Sequence, residues 1–60
     1  MNIETYKLIV KHRYNTKSAL VTLGITNDQL KSAYNIAKDK YYKNRTWYNL
    51  DVYMNIYTFI

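Results

Sequence analysis

The chain has no cysteine and no proline, and it has a single glycine and a single histidine. Without cysteine there can be no disulfide, and one histidine alone cannot build a structural zinc site. No glycine-rich, proline-rich or repetitive stretch interrupts the sequence, so residues 1–60 read as one small domain. No apolar run approaches the ~18–20 residues needed to cross a membrane. The N-terminal stretch lacks the long apolar segment and small-residue cleavage site of a secretory signal. A cytoplasmic protein with no membrane partner is the expectation.

Acidic residues are also scarce. Glu4, Asp28, Asp39 and Asp51 are scattered, and His12 stands apart from them. No nucleophile–base pair, metal-ligand spacing or phosphate-cradling glycine loop can be assembled from this set. A chain this short is also not expected to enclose the ~300 Å³ of a small-molecule pocket. The sequence therefore argues against an enzyme, and against any cofactor, metal or small-molecule substrate.

The positive features are charge and tyrosine. Nine Lys and Arg against four acids give a net charge of +5, which favours an anionic partner such as DNA. Eight Tyr, one Trp and one Phe, each able to bury ~150–250 Å², can supply the core that a 60-residue chain otherwise lacks. Abundant Lys, Asn, Ile and Tyr, encoded by A/T-rich codons, associate the chain with an AT-rich bacterium or its phage.

The lone glycine punctuates the pattern. Thr16 is the expected N-cap of a short helix, "KSALVTL", with Ala19, Leu20 and Leu23 on one face. Gly24 then sits where helices end in a left-handed residue. Ile25 turns inward, and Thr26 with Gln29 forms a capping box for the next helix. That helix is expected over residues 27–43. Leu30, Ala33, Ala37 and Tyr41 form its narrow apolar stripe, with Tyr34 at the edge. Asn27, Lys31, Asn35, Lys38 and Tyr42 form a second, polar stripe.

Two segments admit both helix and strand. In residues 4–13, Tyr6, Leu8 and Val10 alternate, yet Ile9 beside Val10 suits a helix, which is the expectation. In residues 46–60, apolar residues occupy every second position, which with high β-propensity suits a strand or hairpin. Trp47, Leu50, Met54 and Tyr57 fit a helix, and no turn dipeptide divides the segment.

The stretch "TKSALVTLGITNDQLKSAYN" resembles the helix-turn-helix DNA-binding unit. Ala19, Leu23, Ile25, Leu30 and Ala33 match its internal apolar set, and Gly24 matches its turn. Leu20 stands where the family carries a small residue at the helix crossing. The resemblance implies a mainly α fold with a three-helix helix-turn-helix core, the C-terminal segment being either a fourth helix or a β-wing. It further implies that helix 27–43 enters the major groove of DNA. Near its start, Asn27, Asp28, Gln29, Lys31 and Ser32 would be closest to base edges, Lys38, Lys43 and Arg45 would track the backbone, and Asn35 and Tyr42 belong to the same DNA-facing stripe. Lys17 and Ser18 would hold a phosphate from the bracing helix.

The function expected from these features is DNA binding by a small phage or mobile-element protein, as a transcription regulator or recombination accessory factor. Modest affinity from one such module calls for a homodimer or a larger protein partner, with Trp47, Tyr53, Tyr57 and Phe59 as the candidate contact. The alternative is a phage-encoded protein that binds and modulates a larger enzyme directly, for example a directionality factor acting on an integrase, or an inhibitor of a host enzyme.

Overall fold

The computed structural model describes residues 3–60 and contains four α-helices, with no strand among the described residues. Helix α1 spans Ile3–Lys11, α2 Thr16–Thr22, α3 Asn27–Lys43 and α4 Trp47–Thr58, with a 3-10 turn at Arg13–Asn15 between α1 and α2. The mainly α expectation holds.

Helix α1 settles the first ambiguous segment. Thr5, Tyr6 and Ile9 are buried and Val10 packs beside them, a one-sided pattern that only a helical period brings together. Glu4 in the first turn and Lys11 in the last complement the helix dipole.

The link to α2 differs from the sequence reading. Thr16 is not an N-cap but the first helical residue, and Asn15 before it makes no side-chain cap bond. The Thr16 hydroxyl instead donates to the Arg13 carbonyl at 3.1 Å, and Asn55 Nδ2 of α4 donates to the same carbonyl at 2.6 Å. Buried Thr16 is therefore committed to tying the 3-10 turn together.

At the lone glycine the chain turns as expected. Gly24 has φ of 65°, while every other described residue has negative φ. Its N–H donates to Val21 O (3.3 Å) and that of Ile25 to Leu20 O (3.1 Å). This pair of bonds is a Schellman motif, which satisfies carbonyls the helix end leaves free. Leu20 and Ile25 both pack on the core.

Helix α3 is the axis of the fold. Its 17 residues, at ~1.5 Å rise each, reach most of the molecule's 30 Å length. The capping box is complete: Gln29 N–H donates to Thr26 Oγ1 (3.2 Å), and Thr26 N–H to Gln29 Oε1 (2.9 Å). Leu30, Ala33 and Ala37 are buried, and the two alanines let neighbouring helices approach closely. Those neighbours are α1 on one side and α4 on the other, whereas α2 packs chiefly on α1 and the 3-10 turn. The bracing of α3 thus differs from the sequence reading. The expected brace, α2, buries no apolar residue fully, and Leu23, expected inside, is 45% exposed.

Helix α4 resolves the C-terminal segment against the strand or wing. Val52 and Ile56, four residues apart, are buried in the core, whereas Tyr48, Met54 and Ile60, which share the alternating pattern, are exposed. A strand here would have no second strand to satisfy its backbone, while a helix satisfies its own. Thr46 caps it by accepting from Asn49 N–H (3.1 Å), and Asn49 Nδ2 reaches back to Asn44 O (2.8 Å). The core is then Tyr6 and Ile9, Leu30, Ala33 and Ala37, and Val52 and Ile56.

Candidate nucleic-acid interface

The polar stripe of α3 faces outward. Asn27, Lys31, Asn35 and Tyr42 are exposed and Lys38 is half-buried. Opposite, Leu30, Ala33 and Ala37 fix the helix between α1 and α4. The stripe is therefore a solvent-facing row on a helix that cannot roll without breaking the core.

Aromatic rings from α3 and α4 border this row. Tyr53 of α4 lies against Tyr34, Tyr41 and Tyr42 of α3, with ring centroids at 5.5, 5.8 and 6.4 Å. Tyr57 joins through Tyr34 at 6.2 Å, and the Tyr34 and Tyr53 hydroxyls are hydrogen-bonded at 3.3 Å. That hydrogen bond, with burial added, raises the Tyr53 phenol above the ordinary tyrosine pKa. The Arg45 guanidinium lies 5.6 Å from the ring centres of both Tyr41 and Tyr42, and Lys38 Nζ lies 5.9 Å from that of Tyr42. These separations are within cation–π range.

The other expected contacts are placed less favourably. Gln29 Oε1 is committed to the capping box, so this side chain cannot pair bidentately with adenine while the cap is intact. Ser32 is half-buried and lines a groove of about 500 Å³ with Ile3, Asn35, Ile36, Asp39 and Lys40. That groove exceeds the ~300 Å³ that so short a chain is expected to preclude. Lys43 pairs with Asp39 at 3.1 Å, which partly offsets its charge. Arg45 is exposed and joins the tyrosines. Lys17 and Ser18 are exposed on α2, and Ser18 borders a separate small cleft beside His12 and Asn15.

The proposed partner residues do not form one external face. Tyr53 and Phe59 are half-buried and packed on the core, while Tyr57 is exposed. Trp47 is not a core residue: it is 86% exposed at the start of α4, beside a cleft lined by Tyr41, Arg45, Thr46 and Leu50.

Two clusters escape sequence reasoning. The tyrosine array is hidden because its α4 half is visible only once residues 47–58 are read as a helix, where Tyr53 and Tyr57 fall four apart. The second cluster joins α1, the 3-10 turn and α4: Arg13 stacks on Tyr14 (4.6 Å) and Tyr48 (5.4 Å) and donates to Val10 O (3.0 Å). No local signal in the sequence points to it.

No protein family, curated protein or solved structure matches this chain. Among the described residues there is no group of three or more metal-ligating side chains, and no helix is long and apolar enough to cross a membrane.

Proposed function

We propose that this chain is a small basic DNA-binding protein of phage or mobile-element type, serving as a transcription regulator or recombination accessory factor, with α3 as the helix that lies in the major groove. In this reading Thr16–Lys43 is a helix-turn-helix unit whose sharp corner is the Gly24 Schellman motif, and α1 and α4 complete its support. The observation that carries it is the outward row Asn27, Lys31, Asn35, Lys38 and Tyr42 on a helix locked from behind. Among the described residues the single ion pair is Lys43–Asp39, so Lys31, Lys38 and Arg45 are free to meet phosphates. Asn27 and Asn35 supply the amide groups that pair with adenine. With α4 helical, a winged variant is not part of the proposal.

The test is duplex DNA selected from a random pool, with binding followed by fluorescence anisotropy. Lys31→Ala combined with Asn35→Ala should abolish sequence-selective binding while the circular dichroism spectrum is unchanged. Removing one lysine that meets a phosphate should flatten the plot of log affinity against log salt by roughly 1. Full retention of selective binding by the double variant would remove α3 from the groove.

Trp47 favours a second reading, direct binding to a larger enzyme. An 86% exposed tryptophan beside Leu50 and Arg45 has the composition of an interface anchor. Deleting residues 52–60 cannot test it, since Val52 and Ile56 belong to the core. Trp47→Ala can: it should release a co-purified partner in the presence of nuclease, and unchanged capture would eliminate this surface.

A further inference from the structure

The face shared by α3 and α4 carries more than a groove-reading row. Its ring contacts run without a break from Tyr57 to Tyr34, to Tyr53, and to Tyr42 and Tyr41, each between 5.5 and 6.4 Å. The inner members, Tyr34, Tyr41 and Tyr53, are half-buried and hold the array in place. Its outer members, Tyr42 and Tyr57, are 55% and 57% exposed. Lys38 and Arg45 sit against Tyr42, and neither has a carboxylate partner among the described residues. A duplex groove presents base edges and phosphates, and it offers nothing for flat exposed rings to stack on. An unpaired strand offers base faces, and aromatic rings flanked by cations are the surface that binds them without regard to sequence.

We infer that the α3–α4 face is a stacking platform for the unpaired bases of single-stranded DNA, with Tyr42 and Tyr57 as the contacting rings and Lys31, Lys38 and Arg45 facing the phosphates. The inference rests on the reading of this chain as a DNA-binding protein and specifies the form of DNA that this face takes. Charge complementarity selects the occupant. The chain is strongly cationic, and no described carboxylate neutralises the cations touching Tyr42. Arg45 itself adds a planar group on which a base can stack. Such a face suits DNA opened at a recombination or initiation site, where a few bases are exposed beside duplex.

The experiment measures anisotropy of a labelled oligothymidylate of about 12 nucleotides, within the usual site size for such surfaces, alongside a duplex of equal length. The full chain is compared with Tyr42→Ala, Tyr57→Ala, Tyr42→Phe and the Lys31→Ala, Asn35→Ala double variant. The unpaired strand should bind, and each Tyr→Ala change should weaken it roughly tenfold, while Tyr57→Ala, which lies outside the outward row of α3, should alter duplex binding by less than about twofold. Tyr42→Phe should restore affinity, because the ring and not the hydroxyl carries the contact. Both tyrosines are exposed, and unchanged circular dichroism confirms the fold of each variant. If one alanine variant fails to fold, the other carries the test. Single-strand affinity that survives both Tyr→Ala changes overturns the inference; if the double variant still loses duplex DNA, the groove-reading proposal stands without it. Tyrosine-dependent binding of the single strand with no duplex binding upholds the platform and overturns the groove reading. No binding to either form overturns both.

Discussion

The Gly24 corner offers a direct test of the geometry, because the cost of changing it can be worked out from one dihedral angle. Gly24 sits at φ of 65° and is exposed, and a Cβ added there would have no atom within 4 Å. Gly24→Ala therefore creates no overlap with a neighbour, and its whole cost is that of holding an L-residue in left-handed backbone, about 1–2 kcal/mol. Against this, alanine reduces the freedom of the unfolded chain, which offsets roughly 0.4–1 kcal/mol. The net expectation is a loss of about 1 kcal/mol. A domain of this size holds only about 3–9 kcal/mol in total, and a loss of about 1 kcal/mol lowers its Tm by roughly 4–8 °C. Thermal melts followed by far-ultraviolet circular dichroism measure this. The chain is short enough for chemical synthesis, which permits a sharper comparison: D-alanine at position 24 prefers positive φ and should raise the Tm where L-alanine lowers it. Gly24→Asn should melt between the glycine and L-alanine proteins, since asparagine tolerates this conformation. Equal melting temperatures for the L- and D-alanine proteins would refute a left-handed corner, and with it the closing of α2 at this residue.

Three further outcomes follow from the packing. Thr26→Ala removes the capping box of α3 and should cost about 1 kcal/mol in urea denaturation; an unchanged midpoint would show that the cap is dispensable. Ile56→Ala empties a site with no solvent exposure in the centre of the core, and its expected cost of about 2–5 kcal/mol is enough to leave much of the chain unfolded at room temperature. Native-like melting of that variant would contradict the packing of α4. Alkali should also weaken the fold. Tyr6, chiefly through burial, and Tyr53, chiefly through its hydrogen bond with Tyr34, both have pKa values raised above the ordinary 10.0. Both phenols hold their protons in the fold at a pH where the unfolded chain releases them. Their contribution is complete below the ordinary tyrosine value and is lost as pH rises from there through the folded values. Tyr53→Phe should flatten the fall in stability measured by urea titration at successive pH values, and an identical slope would show that Tyr53 titrates normally.

Much of α3 is legible in the sequence because its determinants are local. Thr26 and Gln29 lie three apart and cap each other, and Leu30, Ala33 and Ala37 recur at helical spacing. Gly24 stands where only the left-handed backbone closes the preceding helix. None of these needs a distant partner to be recognised. Thr16 misleads for the complementary reason. Nothing within its own helix shows that a 3-10 turn precedes it, or that Asn55, far along the chain, reaches the same Arg13 carbonyl. The C-terminal segment is ambiguous locally too, since apolar residues at every second position contain the four-residue spacing of Val52 and Ile56 as well as the two-residue spacing of a strand. The choice between them turns on whether a second strand exists to pair with, and that is a property of the whole chain.

That choice also determines the candidate site. As a strand or wing, residues 46–60 would carry Tyr53 and Tyr57 on alternating positions, with no reason to meet Tyr34 and Tyr42. As a helix packed alongside α3, the same residues bring Tyr53 against three α3 rings and leave Tyr57 exposed beside them. The outward row of α3 and the aromatic array consequently lie side by side, because α4 packs along α3 and sets Tyr53 against the α3 rings. The buried stripe of α3, Leu30, Ala33 and Ala37, is thus the physical link between the core and the surface that the proposed DNA readings depend on. Enlarging one of these buried residues should disturb the packing around α3 and with it the ring contacts, even though no residue of the outward row is changed. On the proposed reading, affinity for the unpaired strand should therefore fall together with the packing of that stripe.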